Sequence, residues 1–213
     1  MNSVDLASLL CSRLCHDLMS PVGALNNGIE LLADEQDPDM RDRCLDLLSD
    51  SARATANKLK FFRLAFGAAG GFGDEVNTRE ARSALEGLLS PDRKIQLEWM
   101  VADDKLSKGV TKLLLNLALI AADALVRGGR LAIGVEKEGG VEIAIRAEGS
   151  RIALDDSIRE TLLKGEEAAV EARTAGAWLA HGLAQEAGGE IQLSRPTDEV
   201  LVIGAALPDH SSR

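Results

Sequence analysis

The sequence predicts an α+β protein in two parts: an N-terminal helical hairpin that pairs with a second copy as a dimeric four-helix bundle, then a two-layer α/β sandwich. Three observations carry this reading. Apolar residues step by threes and fours through two successive stretches of the first 68 residues, as amphipathic helices require. The run Gly67-Ala-Ala-Gly-Gly-Phe-Gly73, with four glycines in seven residues, then breaks both repeats. Beyond it, stretches of period two alternate with stretches of period 3.6.

In the first helix the apolar seam is Leu14, Leu18, Val22, Leu25, Ile29 and Leu32. Asp34-Glu-Gln-Asp-Pro38 reads as a loop ending in an Asp-Pro helix start. The second seam follows as Leu45, Leu48, Ala52, Thr55, Leu59, Phe62 and Phe66. Two helices of about thirty residues with a short connection form an antiparallel hairpin whose stripes need more cover than one hairpin gives. Pairing of two copies over residues 4–68 supplies it, so a homodimer is expected; the alternative is an intramolecular helical domain. The expected organisation is a hairpin at 1–68, a glycine-rich linker at 67–75, a sandwich at 76–208 and a tail at 209–213. Within the sandwich the patterns predict a helix from Asn77 to Leu89, a strand from Lys94 to Met100 and a helix from Lys108 to Val126. A hairpin of strands, Arg130 to Lys137 and Val141 to Ala147, turns around Glu138-Gly-Gly140. Helices from Asp155 to Lys164 and Glu167 to Ala187 precede two last strands, Glu190 to Arg195 and Val200 to Leu207. Five largely antiparallel strands backed by helices make the sandwich.

The candidate chemistry lies in Leu14-Cys-His-Asp-Leu-Met-Ser-Pro-Val22. His16 is off the seam: at about 100° per residue it stands roughly 200° around the helix from Leu14. Ser12, Arg13, Met19 and Ser20 share its face, so its imidazole is expected in solvent. Pro21 has no N–H for the carbonyl of Asp17, and its ring crowds that turn. The helix is therefore expected to bend just beyond the histidine, at a penalty of about 3 kcal/mol if nothing compensates. A histidine presented in this way is a candidate phosphate carrier.

The net charge of −10 argues against general nucleic-acid binding, for which a basic face is needed, and favours a protein partner. With 46% hydrophobic residues the chain has enough apolar content for a proper core. Leu113 to Val126 is interrupted by Asn116 and Asp123, and the N-terminus lacks a basic segment followed by an apolar one. No membrane association is expected, and the cytoplasm is the expected address. Cys11, Cys15 and Cys44 all lie on the hairpin; Cys11 and Cys15 fall near the helix seam and read as small buried hydrophobes rather than metal ligands. His181, in an apolar helix, and His210, in the polar tail, have no visible constellation and read as structural or incidental.

His16-Asp17-Leu18-Met19-Ser20-Pro21 resembles the H-box of the dimerisation and histidine-phosphotransfer domain of two-component sensor kinases. The element order after the glycine run is similar to the ATP-binding half of those kinases, the Bergerat or GHKL fold, but its nucleotide boxes are altered. Leu113-Leu-Leu-Asn-Leu-Ala-Leu-Ile-Ala-Ala-Asp-Ala124 resembles the N-box helix with Ile120 where a magnesium-binding asparagine is expected, and isoleucine offers no oxygen. Ala147-Glu-Gly-Ser-Arg-Ile152 resembles the Asp-x-Gly-x-Gly box with Ala147 for the aspartate that accepts from adenine and Arg151 for the second glycine. Thr174-Ala-Gly-Ala-Trp-Leu179 stands where a glycine-rich phosphate loop opens a helix, with Ala175, Ala177 and bulky Trp178 in it.

An H-box hairpin joined to an altered ATPase-like domain resembles the ChpT-type histidine phosphotransferases of alphaproteobacterial cell-cycle phosphorelays. Leu115-Asn-Leu-Ala-Leu-Ile-Ala-Ala122 and Arg127-Gly-Gly129 add to the likeness, which covers nearly the whole chain. The resemblance implies a carrier that takes phosphate on His16 from the receiver domain of a CckA-like hybrid histidine kinase and passes it to CtrA- and CpdR-like response regulators. It implies no ATP and no bound cofactor, with magnesium arriving on the receiver. It gives Asp17 the ring proton, to orient the imidazole or act as a base, although the residue also reads as a solvated helix carboxylate. Arg13, one turn before His16, either offsets phosphate charge or is a solvated surface arginine. The expected docking set is Arg13, Met19, Ser20, Pro21, Gly23 and Asn27. Ser20 and Gly23 are small enough to admit a partner helix, although Gly23 also reads as a tolerated helix glycine beside a proline. Two other functions remain open from sequence: an ATP-dependent sensor kinase with unusual boxes, and a non-catalytic dimeric scaffold.

Overall fold

The computed structural model describes residues 3–67, 74–89, 93–165, 171–195, 197 and 199–208. Helices α1 (Ser3–Asp34) and α2 (Pro38–Ala65) form the expected hairpin. Its turn follows from local chemistry. The Asp37 carboxylate accepts the N–H groups of Asp39 at 2.9 Å and Met40 at 3.2 Å, and Pro38 takes the first helical turn, where no N–H is needed. Arg41 reaches back to donate to the carbonyls of Leu32 at 3.2 Å and Glu35 at 2.8 Å, which satisfies the free end of α1. The helices approach closely at Gly28, where a Cβ would meet Leu48 at 2.9 Å.

Pro21 lies inside α1, and the helix runs on through it to Asp34. The carbonyl of Asp17, which Pro21 leaves without its helical donor, accepts the ammonium of Lys58 on α2 at 2.6 Å. A side chain from the facing helix thus replaces the missing backbone bond. The same contact ties the two helices together beside His16.

After the hairpin come β1 (Glu75–Asn77), α3 (Thr78–Leu88), β2 (Ile95–Val101), β3 (Lys105–Ser107), α4 (Lys108–Ala124), β4 (Gly129–Glu136), β5 (Gly140–Glu148), α5 (Asp156–Lys164), α6 (Ala175–Glu186), β6 (Glu190–Leu193) and β7 (Val200–Pro208). The five-stranded sheet has the order β2-β4-β5-β7-β6, parallel between β2 and β4 and antiparallel elsewhere. All five expected strands are present. The short antiparallel ladder of β1 with β3 is an addition, since three-residue strands carry no readable period. One sheet face is apolar throughout: Leu131, Ile133 and Val135 stand opposite Ala147, Ile145 and Ile143, which stand opposite Leu201, Ile203 and Ala205. Burial of this one face fixes the register.

Helix α4 is buried on nearly every side, from Val110 to Ala124. It packs on the sheet and also meets α2, α3 and α6. The end of α2 joins the same core through Phe61, Phe62, Leu64 and Ala65. Asn116 of α4 donates its amide to the Ala65 carbonyl at 3.0 Å and to the Lys112 carbonyl at 2.8 Å. The hairpin and the sandwich therefore share one hydrophobic cluster.

Helix α6 begins at Ala175, later than the expected Glu167. The Thr174 hydroxyl accepts the N–H of Glu171 at 2.9 Å and donates to that residue's carbonyl at 3.1 Å, and this local turn competes with the helix. Residues 166–170 of that expectation, residues 68–73 of the linker and the tail at 209–213 lie outside the described residues. Among the described residues no helix is long and apolar enough to cross a membrane.

The Lys58 contact leads to a thermodynamic cycle. Lys58→Met leaves the Asp17 carbonyl unpaired and should lower stability by about 1–3 kcal/mol in urea unfolding. In a Pro21→Ala background, where residue 21 regains its N–H, the same substitution should lose most of that effect.

Candidate functional site

His16 projects from the middle of α1 with 85% of its side chain exposed. Its Nδ1 lies 3.4 Å from Asp17 Oδ1. The other oxygen of Asp17 is held by Arg13, whose Nε donates to Oδ2 at 3.0 Å across one helical turn. With the Lys58 ammonium on its carbonyl, Asp17 is fixed at both its main chain and its side chain. When Nδ1 carries the proton toward Asp17, the lone pair of Nε2 is left on the solvent side.

Arg13 is not a solvated surface arginine. Its side chain is only 19% exposed. Its Nη2 donates to Asp123 of α4 at 3.2 Å, and its Nη1 donates to the carbonyl of Arg173 at 3.2 Å. Burial pulls its pKa down, but the carboxylates of Asp17 and Asp123 outweigh burial and raise it above the usual arginine value. The supporting groups are themselves fixed. Arg93 holds the second oxygen of Asp123 at 2.9 Å, and Arg173 is clasped by Asp155 at 2.9 Å and Glu171 at 3.0 Å. Asp155 lies below the usual carboxylate range, first through the Ser157 hydroxyl, then through the Ser157 N–H, with Arg173 adding to it. None of these long-range partners was legible from the spacing of residues around His16.

The expected docking residues divide into two sets. Met19 is 71% exposed, and Ser20 and Asn27 are exposed on the same side of α1 as His16. Gly23 is half-buried, yet a Cβ there would meet nothing within 4 Å, so its small size is not required by packing within the chain. Pro21, in contrast, is buried and shapes the helix from within.

Cys11 and Cys15 are exposed rather than buried, because they follow the outer edge of α1; Cys44 is buried. Among the described residues no group of three or more His, Cys, Asp or Glu side chains could hold a metal ion. His181 is half-buried, with Nδ1 2.9 Å from the Leu162 carbonyl and its ring against Gly165, whose φ of 59° turns the chain after α5. Its position is structural. His210 lies outside the described residues.

The three segments that resemble nucleotide boxes lie within or against the core. Ile120 and Ala147 are buried in the shared cluster, and Ala177 joins them from the start of α6. Gly176 is so close to α4 that a Cβ would stand 3.2 Å from Asn116 Oδ1. The indole N–H of Trp178 is buried without a partner among the described residues.

Comparison with known proteins gives a consistent result. Residues 78–199 match the family described as the histidine phosphotransferase C-terminal domain. The chain is 35% identical over 208 residues to the protein phosphotransferase ChpT of Brucella abortus (strain 2308), covering 94% of this chain and 95% of that one. It is also similar to a 1.7 Å structure of a bacterial phosphotransferase, at a TM-score of 0.84 and 34% identity, covering 96% of this chain and 97% of the other. The exposed histidine on its H-box hairpin and these matches lead to one conclusion: the chain belongs to the histidine phosphotransferase family.

Proposed function

We propose that this protein is the phosphocarrier of a two-component phosphorelay, taking phosphate on His16 from the receiver domain of a CckA-like hybrid histidine kinase and passing it to CtrA- and CpdR-like response regulators in the cytoplasm. The supporting observation is the pairing of a largely exposed imidazole with a carboxylate that is itself immobilised. Phosphoryl transfer depends mainly on positioning and charge stabilisation. Nε2 attacks the phosphorus of the receiver's aspartyl phosphate; the N–P bond forms as the P–O bond breaks, and the electron pair leaves with the receiver's carboxylate. The ring gains positive charge, which Asp17 neutralises across the Nδ1 proton. Magnesium belongs to the receiver in this scheme, and ATP has no part in it. Burial of Ile120, Ala147 and Ala177 in the core favours a sandwich that no longer accommodates a nucleotide.

The dimer belongs to the same proposal. Val22 and Ile29 stand one heptad apart on α1, as do Leu45, Ala52 and Leu59 on α2, and all five are exposed. Ile29 is 58% exposed and Leu45 51%, a stripe that a second hairpin would cover as a four-helix bundle. Cys11 and Cys15 continue the stripe on α1.

The direct test is transfer from a purified phosphorylated receiver, with magnesium and without ATP. Wild type should acquire acid-labile label within seconds to minutes, and His16→Ala should acquire none. Labelling from radiolabelled ATP alone would instead indicate a kinase, and partner binding with no phosphate uptake would indicate a scaffold. A second prediction concerns docking: Gly23→Trp should keep the fold and raise the KM for the receiver about tenfold, or about 1.4 kcal/mol of binding, with little change in kcat. For the bundle, Ile29→Arg should reduce the mass seen by light scattering at micromolar concentration from two chains to one.

A further inference from the structure

Asp123 has no part in the chemistry described so far, yet it is joined to His16 by an unbroken series of polar contacts. From the imidazole the series runs through Asp17 Oδ1 at 3.4 Å, from Asp17 Oδ2 to Arg13 at 3.0 Å, and from Arg13 to Asp123 Oδ2 at 3.2 Å. Asp123 Oδ1 is anchored in turn by Arg93 at 2.9 Å. We propose that Asp123 is a positioning residue for phosphoryl transfer: acting through Arg13, it fixes the carboxylate of Asp17 and so sets the orientation and tautomer of His16. This rests on the reading of His16 as the phosphoryl acceptor.

Geometry and cost both support the assignment. A guanidinium is a rigid planar fork, so an arginine orients one partner well only when its other donors are also held. Asp123 and the Arg173 carbonyl hold the two Nη groups of Arg13, which leaves Nε aimed at Asp17. Asp123 lies in the last turn of α4, where the helix dipole disfavours a carboxylate. Its placement is unfavourable to its own helix and is offset by Arg13 and Arg93. Among the described residues the Asp123 carboxylate is held by these two ion pairs, one oxygen by each arginine. The altered ATPase-like domain then has a role near the chemistry, holding from behind the group that orients the nucleophile.

The experiment compares the full-length wild type with Asp123→Asn, Arg13→Met and the double variant. It measures single-turnover transfer from a phosphorylated receiver with magnesium, together with the His16 tautomer by 15N NMR of the protein alone. Asp123→Asn should slow transfer about tenfold, the size of a typical coupling between contacting groups, and should shift the ring away from the Nδ1–H form. In the Arg13→Met background the same change should have no further effect on either readout. Asp123→Glu, which keeps the charge, should recover part of the rate. An unchanged rate and tautomer, or an equal loss in both backgrounds, would overturn the proposal. Should Asp123→Asn not fold, Arg93→Met, which frees Asp123 without removing it, should give the same pattern with smaller amplitude, and no effect there would count equally against it. His16→Ala separates the two layers: undiminished transfer in that variant removes the acceptor itself, whereas a dead His16→Ala beside a normal Asp123→Asn removes only the positioning role.

Discussion

The burial of α4 is the constraint on which the rest of the structure depends. A helix apolar around nearly its whole circumference must be covered on every side. Here the sheet takes one side, while α2, α3 and α6 take the others. The end of α2 is drawn into the core with Phe61 and Phe62, and Asn116 bonds the last carbonyl of α2 from within α4. This attachment joins the hairpin to the sandwich through a shared core. It also brings Asp123 and Arg173 within reach of Arg13, so the placement of the charged groups near His16 follows from hydrophobic packing some distance away.

Much of the fold was legible because it is periodic. The three-four seams gave both helices of the hairpin, Asp37-Pro38 gave the start of α2, and alternation around Glu138-Gly-Gly140 gave the β4–β5 pair. What escaped was aperiodic or distant in sequence. The β1–β3 ladder is too short to show a period, and the Thr174 turn depends on a hydroxyl that competes with the helix. At the site, the exposure of His16 followed from its angle to the seam. The partners of Arg13 did not, because Asp123 lies 110 residues away and meets it only through tertiary packing. The two exposed cysteines show the limit of a seam argument. A residue at the seam's edge is covered by its own hairpin on one side only, and the angle alone does not say which side.

Ile120, Ala147 and Ala177 lie in the continuous core that the sandwich shares with the hairpin. Apolar side chains at these buried positions stabilise the sandwich without the desolvation cost that buried polar groups would carry. A firmer sandwich is a better anchor for the hairpin.

The bond from Lys58 to the Asp17 carbonyl carries one further consequence. Because Pro21 removes the backbone donor, the turn of α1 that bears His16 is completed by a different helix. Its local geometry is therefore a tertiary property and is absent from the first helix by itself. A nascent or partly unfolded chain still contains the histidine but lacks the turn that aims it.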